Sequence, residues 1–408
     1  VPHTLFLAVS LCLLLTASGA QAALSANELD GLAGSLIDQG FENVLVAQEP
    51  GDLVRVYYEN RVFRYEMRAM GVVLALVDSG LSGRWTATLI PMRAGVPVVA
   101  VTAARDDYRR FVSGDEGAAD FADALVISTS PSAPGEDECA NSSFMRLDLS
   151  VGPSFSLEFE QLDDSLRGRL NAVPQAEAQV AKGVQATGQL IVPLVDEIKE
   201  KTSGVRPGRV TLDWLSRRGP MLGLARAGIF DNERYGLSIG AGRWAWGDRL
   251  LFTGHGDLTG ELALRDGVWE YSSLKLFTYF LEAKYWYPYL DVTVSAGFGR
   301  FLGEEHGGRI DLMRAMGELE IGFFAIKTES DSLAGILLDI PLPLARYSKP
   351  KPVRFKTVPH VVWEYRDEVS STGRLPGGGL SIESLYKSMA PVFIRNNVSE
   401  WMESRRFI

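Results

Sequence analysis

Three histidines beyond the N-terminal segment, His255, His306 and His360, carry the side chain best suited to acid-base work near neutral pH. His255 stands in Thr253-Gly-His-Gly256 and His306 in Glu304-Glu-His-Gly307, both beside glycines at expected strand ends or turns. A hydrolase embedded in a barrel would pair one of them with a serine, so that the imidazole takes the hydroxyl proton during attack. No serine occurs in a diagnostic context, and the three read as turn histidines. Glu304-Glu305 with Asp311 offers oxygen ligands for a divalent cation, but without the spacing of an EF-hand loop. The acidic pairs Asp106-Asp107 and Asp163-Asp164 likewise read as solvated loops, and Cys139 has no base or metal-binding neighbour. No glycine-rich phosphate loop opens a helix. The expectation is a protein with no catalytic residue, no cofactor and no metal site.

The elements that would hold any site follow from composition. The chain has 408 residues, 46% hydrophobic and 23% charged, too apolar for a disordered chain. Its longest apolar run, Leu5 to Ala17, is too short to cross a bilayer as a helix. A net charge of −10 supplies no basic patch, so nucleic acid is not an expected partner. A large soluble protein and a transmembrane β-barrel remain. Residues 1–22 read as a secretory signal peptide, with cleavage after Ala20-Gln-Ala22 but no basic residue ahead of the apolar core. Removal of Cys12 leaves Cys139 alone, so no intramolecular disulfide is expected. The compartment is then the periplasm, outer membrane or exterior of a Gram-negative cell.

Residues 23–127 have mixed α/β character. Ser25-Ala-Asn-Glu28 is a capping box ahead of Leu29, Leu32, Leu36 and Ile37 at helical spacing. Leu53 to Tyr58, Trp85 to Ile90 and Val96 to Thr102 read as strands; Tyr65 to Val77, with Met67, Met70, Leu74 and Val77 on one side, and Arg105 to Val112 read as helices. Residues 128–140, rich in Ser, Pro and acid, read as a linker.

From residue 141 to 370 the period becomes two. Leu290, Val292, Val294, Ala296 and Phe298 share one face, while Asp291, Thr293, Ser295, Gly297 and Gly299 share the other. The pattern recurs often enough for about 12 to 16 antiparallel strands. A soluble sandwich also alternates. The aromatic group Phe277, Tyr279, Phe280, Tyr285, Trp286, Tyr287 and Tyr289, with Trp244-Ala-Trp246 at another strand end, favours rings at headgroup level. Thr278, Glu282 and Lys284 then point away from Phe277, Tyr279 and Leu281 into a polar lumen. Glu282, Lys284, Asp291, Thr293, Arg309 and Asp311 are the candidate lumen residues. The expected fold is mainly β: an outer-membrane barrel with a small N-terminal α/β periplasmic domain. Residues 371–408 form a tail whose Ile382, Leu385, Met389 and Trp401 suggest an amphipathic helix below the barrel, so the last strand falls near Val358 to Arg366.

Ala296-Gly-Phe-Gly-Arg-Phe-Leu-Gly303, Gly307-Gly-Arg-Ile-Asp-Leu-Met-Arg314, Gly317 to Ile326 and Leu338-Asp-Ile-Pro-Leu342 resemble the YjbH family and the related GfcD proteins. Val56-Tyr-Tyr-Glu-Asn-Arg61 resembles that family's strand ending in Glu-Asn. The resemblance extends over most of residues 29 to 370. It implies an outer-membrane β-barrel in exopolysaccharide or capsule production, assisting export or assembly without catalysis. The implied partners are outer-membrane lipids and periplasmic polysaccharide-export proteins. Members are usually longer, with a further β-rich region ahead of the α/β domain, so the resemblance also implies a second barrel half or another copy as partner. Two other expectations stay open: a barrel-embedded hydrolase acting on lipid or polysaccharide, and a soluble periplasmic β-rich binding protein.

Overall fold

The computed structural model describes residues 24–134, 139–160, 165–197, 204–265, 267–366 and 372–408. Residues 1–22, read above as a signal peptide, and Asp163-Asp164 lie outside the described residues. Helix α1, Ala26–Gln39, begins with the expected capping box: Ser25 Oγ accepts from Glu28 N at 3.3 Å, and Ser25 N donates to Glu28 Oε2 at 2.9 Å. Gly40 ends it in the left-handed region at φ 104°. Strands β1 (Glu42–Gln48), β2 (Leu53–Glu59), β3 (Thr86–Arg93), β5 (Ala100–Ala104) and β6 (Val126–Ser128) form one sheet in that order, with β4 (Val96–Pro97) on β3. The expected single strand from Val96 to Thr102 is thus split, and Val98 N turns back to donate to Pro91 O at 3.0 Å. Helices α3 (Arg105–Ser113) and α4 (Ala118–Ala124) complete this unit.

Helix α2, Glu66–Gly80, differs from its expected one-sided burial: every residue from Met67 to Val77 is buried. A helix apolar all round needs cover on both sides, and the C-terminal segment supplies the second. That segment is not one amphipathic helix but three short ones: α5 (Ile382–Tyr386), α6 (Pro391–Asn396) and α7 (Ser399–Ser404). Pro391, which lacks a backbone N–H, opens α6. Helix α7 lies against α2 at Gly71, where a Cβ would come within 2.7 Å of Trp401 Cα. The described part of the 128–140 stretch stays packed on the α/β unit: Ser128 pairs with Ala100, and Ala140 N donates to Val44 O at 2.7 Å.

The second sheet has 15 strands. They are β7 (Leu147–Glu160), β8 (Ser165–Ala181), β9 (Val184–Asp196), β10 (Arg206–Arg218), β11 (Met221–Phe230), β12 (Arg234–Ala245), β13 (Leu250–Arg265), β14 (Val268–Tyr271), β15 (Leu276–Tyr287), β16 (Val292–Arg300), β17 (His306–Met316), β18 (Leu319–Thr328), β19 (Ser332–Pro341), β20 (Val353–Thr357) and β21 (His360–Arg366). From β7 to β19 each strand pairs antiparallel with the next, except that β14 pairs β13 alone and β13 continues to β15. The run from Val353 to Arg366 then changes partners. Its first half, β20, is parallel to β7, and its second half, β21, is antiparallel to β19. Pro359, which cannot donate to a ladder, stands between the halves. Phe155 of β7 and Trp363 of β21 stack at 6.0 Å across the remaining seam, so the two ends of the sheet meet.

Alternation divides this sheet as the sequence implied. Leu212, Trp214, Leu237, Ile239, Phe252, Phe277, Leu281, Phe298, Ile310, Leu312 and Phe323 are exposed on the outer face. Asp213, Asp257, Thr259, Thr278 and Ser295 are buried on the inner face. The aromatic group of β15 is split between the two. Phe280 and Trp286 share parity with Thr278 and turn inward, where Trp286 packs on Trp244 at 4.9 Å. Tyr287 and Tyr289 stay exposed, and Trp246 occupies a turn at 78% exposure.

Candidate functional site

The inner face of the large sheet is occupied by the chain's own C-terminal segment. Thr372 Oγ1 donates to Asp331 Oδ2 at 3.3 Å, and Leu302 N donates to Arg374 O at 2.8 Å. Asn232 Nδ2 donates to Leu375 O at 3.1 Å and Asp231 N to Gly377 O at 3.0 Å. Gly378 lies against Arg209 and Asp231, where a Cβ would meet side-chain atoms at 2.2 and 2.6 Å at a φ of 105°. Only glycine fits that position. Further on, Arg226 donates to Leu380 O, Thr253 Oγ1 to Glu383 Oε1 at 3.1 Å, and Lys387 pairs with Asp339 and, at 3.2 Å, with Glu320. Strands β11, β12, β13, β18 and β19 all touch this segment, the β12 contact being Gly242 against Ile382. The sheet therefore wraps around the tail.

The segment runs from the hairpin turns at one end of the sheet to the α/β unit at the other. There Tyr386 is fully buried, accepts from Arg217 Nη2 at 2.9 Å and packs edge-on against Trp244 at 5.2 Å. Leu215, Leu222, Trp244, Leu251 and Trp286 of the large sheet share one apolar core with the α/β unit and with Tyr386, Phe393, Ile394 and Trp401. Arg217 also donates to Pro97 O and Val98 O, each at 2.8 Å. The α/β unit and the tail helices thus cover that end of the interior.

A buried ion cluster lies beside them. Asp148 of β7 accepts from Arg354 of β20 at 2.9 and 2.6 Å, faces Lys356 at 3.1 Å and meets Arg61 of the α/β unit at 2.8 Å. Arg61 continues to Glu42 at 3.2 Å, and Lys356 to Glu177 at 3.6 Å. A cavity of about 170 Å³ opens here, lined by Glu66, Arg93, Asp148, Glu177 and Lys356 among others. Desolvation pushes the Glu66 carboxyl up from 4.5 to about 7, against hydrogen bonds from Asn60 and Tyr58 that lower it. The folded state holds this proton more tightly than the unfolded chain. The associated stability is fully present below 4.5 and lost as pH rises through about 7. Glu66→Gln is expected to flatten the fall in melting temperature across that window, an effect on the order of 1 kcal/mol per pKa unit. Parallel melting curves against pH for the two proteins would count against this.

The six candidate lumen residues fall in two groups. Glu282, Lys284, Thr293, Arg309 and Asp311 share the inner face. Lys284 Nζ lies 3.8 Å from Glu282, and Arg309 donates to Asp311 at 2.7 Å while stacking over Phe324 at 4.5 Å. Thr293 pairs in register with Trp286. Asp291 instead sits in the turn before β16 at φ 48°, accepting from Asn396 at 2.7 Å and Asn397 at 3.1 Å. It fastens the tail.

The histidines are dispersed: His255 lies 3.7 Å from Asp257, His306 3.4 Å from Glu329, and His360 3.0 Å from Asp339. Glu304, Glu305 and Asp311 have separate partners in Arg300, Ser330 and Arg309. Among the described residues no group of three or more metal-ligating side chains converges. Alternation marks Asp148, Asp213 and Asp257 as inward, but nothing in the linear order links Asp148 to Arg354 or Lys387 to Asp339.

Residues 16–212 match the family model described as exopolysaccharide biosynthesis protein YbjH, of the YjbH family. The matched span contains the Val56 to Arg61 motif; the motifs from Ala296 to Leu342 lie beyond it. No curated protein matches the chain. Among solved structures, a porin mutant of Rh. blastica aligns at 11% identity over 47% of this chain and 89% of its own, with a TM-score of 0.29. A triple mutant of Rhodopseudomonas blastica porin aligns at 10% over 54% and 98%, with a TM-score of 0.30. A loop-deletion mutant of OmpT, an outer membrane protein of Vibrio cholerae, aligns at 7% over 47% and 85%, with a TM-score of 0.27.

Proposed function

We propose, from the YjbH match over residues 16–212, that this chain is an outer-membrane β-barrel assisting the export or surface assembly of an exopolysaccharide, without catalysis. The observation that carries the membrane half of this reading is the division of the large sheet. Its outer face exposes Leu237, Ile239, Phe252, Leu281, Ile310 and Phe323, while its inner face buries Asp213, Asp257, Thr278 and Ser295. Exposing the first set to water would be costly, and a bilayer removes that cost. The α/β unit then lies on the periplasmic side, where it is free to meet polysaccharide-export proteins. The shared run of β20 and β21, which pairs with β7 at one end of the sheet and with β19 at the other, favours a barrel that closes within one chain. Deleting the gene should strip the cell of surface polysaccharide, and the full chain should sediment with outer-membrane vesicles. Recovery in the soluble periplasmic fraction would sink the barrel; undiminished polysaccharide would sink the export role.

A further inference from the structure

The end of the interior opposite the α/β unit holds a cavity of about 1050 Å³, bounded by the turn at Asp231–Glu233, the arm formed by β13 and β14, and Arg374 of the tail. The arm is unusual. Strand β14 pairs with β13 alone, and all four of its residues are exposed. No packing requirement accounts for Trp269 at 47% exposure or Tyr271 at 77%, yet both line the cavity. As alternate residues of one strand they share a face, roughly 7 Å apart.

The polar lining is balanced in sign. Three arginines, Arg206, Arg234 and Arg374, stand with four carboxylates, Asp231, Glu233, Glu261 and Glu270, and Asn232 adds an amide. Arg234 and Glu261 lie side by side at 3.5 Å. A polyanion would meet too little positive charge here, and an apolar ligand too many charges. A hydroxyl donates and accepts at once, so a polyhydroxylated ligand can satisfy guanidinium and carboxylate groups together. Two aromatic faces on a polar floor suit the apolar C–H faces of consecutive sugar rings.

We propose that this vestibule binds a short stretch of a neutral hexose polymer, with Trp269 and Tyr271 as its platform. The proposal rests on the polysaccharide reading above and adds the place and the class of sugar. The test uses the full chain in detergent micelles, titrated with a panel of neutral glucose hexamers of different linkage and with hexagalacturonate, and followed by tryptophan fluorescence and calorimetry. A neutral hexamer should bind, and Trp269→Ala and Tyr271→Ala should each weaken it by roughly tenfold or more. Both variants should retain the wild-type heat-dependent gel mobility, because Trp269 and Tyr271 are exposed and β14 pairs with no strand but β13 among the described residues. Failure of every neutral hexamer to bind, preference for hexagalacturonate, or unchanged affinity in both variants overturns the proposal. In cells the two readings separate. If gene deletion abolishes surface polysaccharide while the double variant Trp269→Ala/Tyr271→Ala matches wild type, the vestibule fails alone. If deletion has no effect, the polysaccharide reading beneath it fails.

Discussion

Replacing Leu375–Ser384 by a glycine-serine chain of equal length is expected to open a conducting path along the inner face of the large sheet. On the proposed barrel reading, twelve antiparallel strands, β7 to β13 and β15 to β19, and the run of β20 and β21 that pairs with both β7 and β19 surround the interior. Barrels of about 8 strands are filled by their own side chains, whereas 16 to 18 leave an aqueous channel. An enclosure of intermediate size needs additional filling, and the tail provides it through Leu380, Ile382 and Glu383. The exchange removes Ile382 and Leu380 from the edge of the shared core but leaves Tyr386, Phe393 and Trp401, which hold the tail helices to the α/β unit. In planar bilayers the wild-type chain should show little conductance and the exchanged chain discrete channel steps. Equal conductance in both would mean that the segment does not occlude the interior. If the proposed export role also holds, a polymer using this interior must first displace the tail, whose anchors Lys387–Asp339 and Arg226–Leu380 then become the barrier to opening.

The largest effect on stability is expected at Asp148. Its side chain is 3% exposed and faces Arg354, Lys356 and Arg61, with Arg354 itself 2% exposed. Taking these charges out of water is costly, and their attraction offsets the cost only while the set is complete. Asp148→Ala leaves a buried guanidinium without its bidentate partner, at a cost of about 3 to 5 kcal/mol. The same change removes the side chain that ties β20 to β7 and both to the α/β unit, so the seam should open before the rest of the sheet. Denaturant titration in micelles, read by heat-dependent gel mobility, measures the loss. Cleavage by added protease between β19 and β20 tests whether it begins at the seam. Asp148→Ala/Arg354→Leu should recover part of the stability, because the stranded charge goes with its partner. A single variant as stable as wild type would refute the account.

The sequence was most legible where the physics is local. The capping box at Ser25 and Glu28 formed as read, because both hydrogen bonds lie within one helical turn. The period of two placed Glu282, Lys284, Arg309 and Asp311 on the same face as Thr278 and Ser295, since successive strand side chains must alternate. Residue class alone groups Phe280 and Trp286 with interfacial aromatics, but parity turns them inward into two dry patches, Phe280 against Phe301 and Trp286 against Trp244 and, through it, Tyr386. Asp291 falls in the turn one position ahead of β16, and a turn residue need not follow the alternation.

What the sequence by itself determined is thus the two-part organisation, the strand-rich region with its apolar and polar faces, and the family resemblance, carried mainly by the motifs from Ala296 to Leu342 and also by Val56 to Arg61, the last of which lies in the span that the family model matches. What only the tertiary structure decided is the route of the tail, the partner change at Pro359 and the ion cluster around Asp148. Those features join residues far apart in the chain, such as Asp148 with Arg354 and Arg226 with Leu380. Periodicity fixes which way a side chain points. It carries no information about what stands opposite, because that depends on how the curved sheet brings its two ends and the tail together.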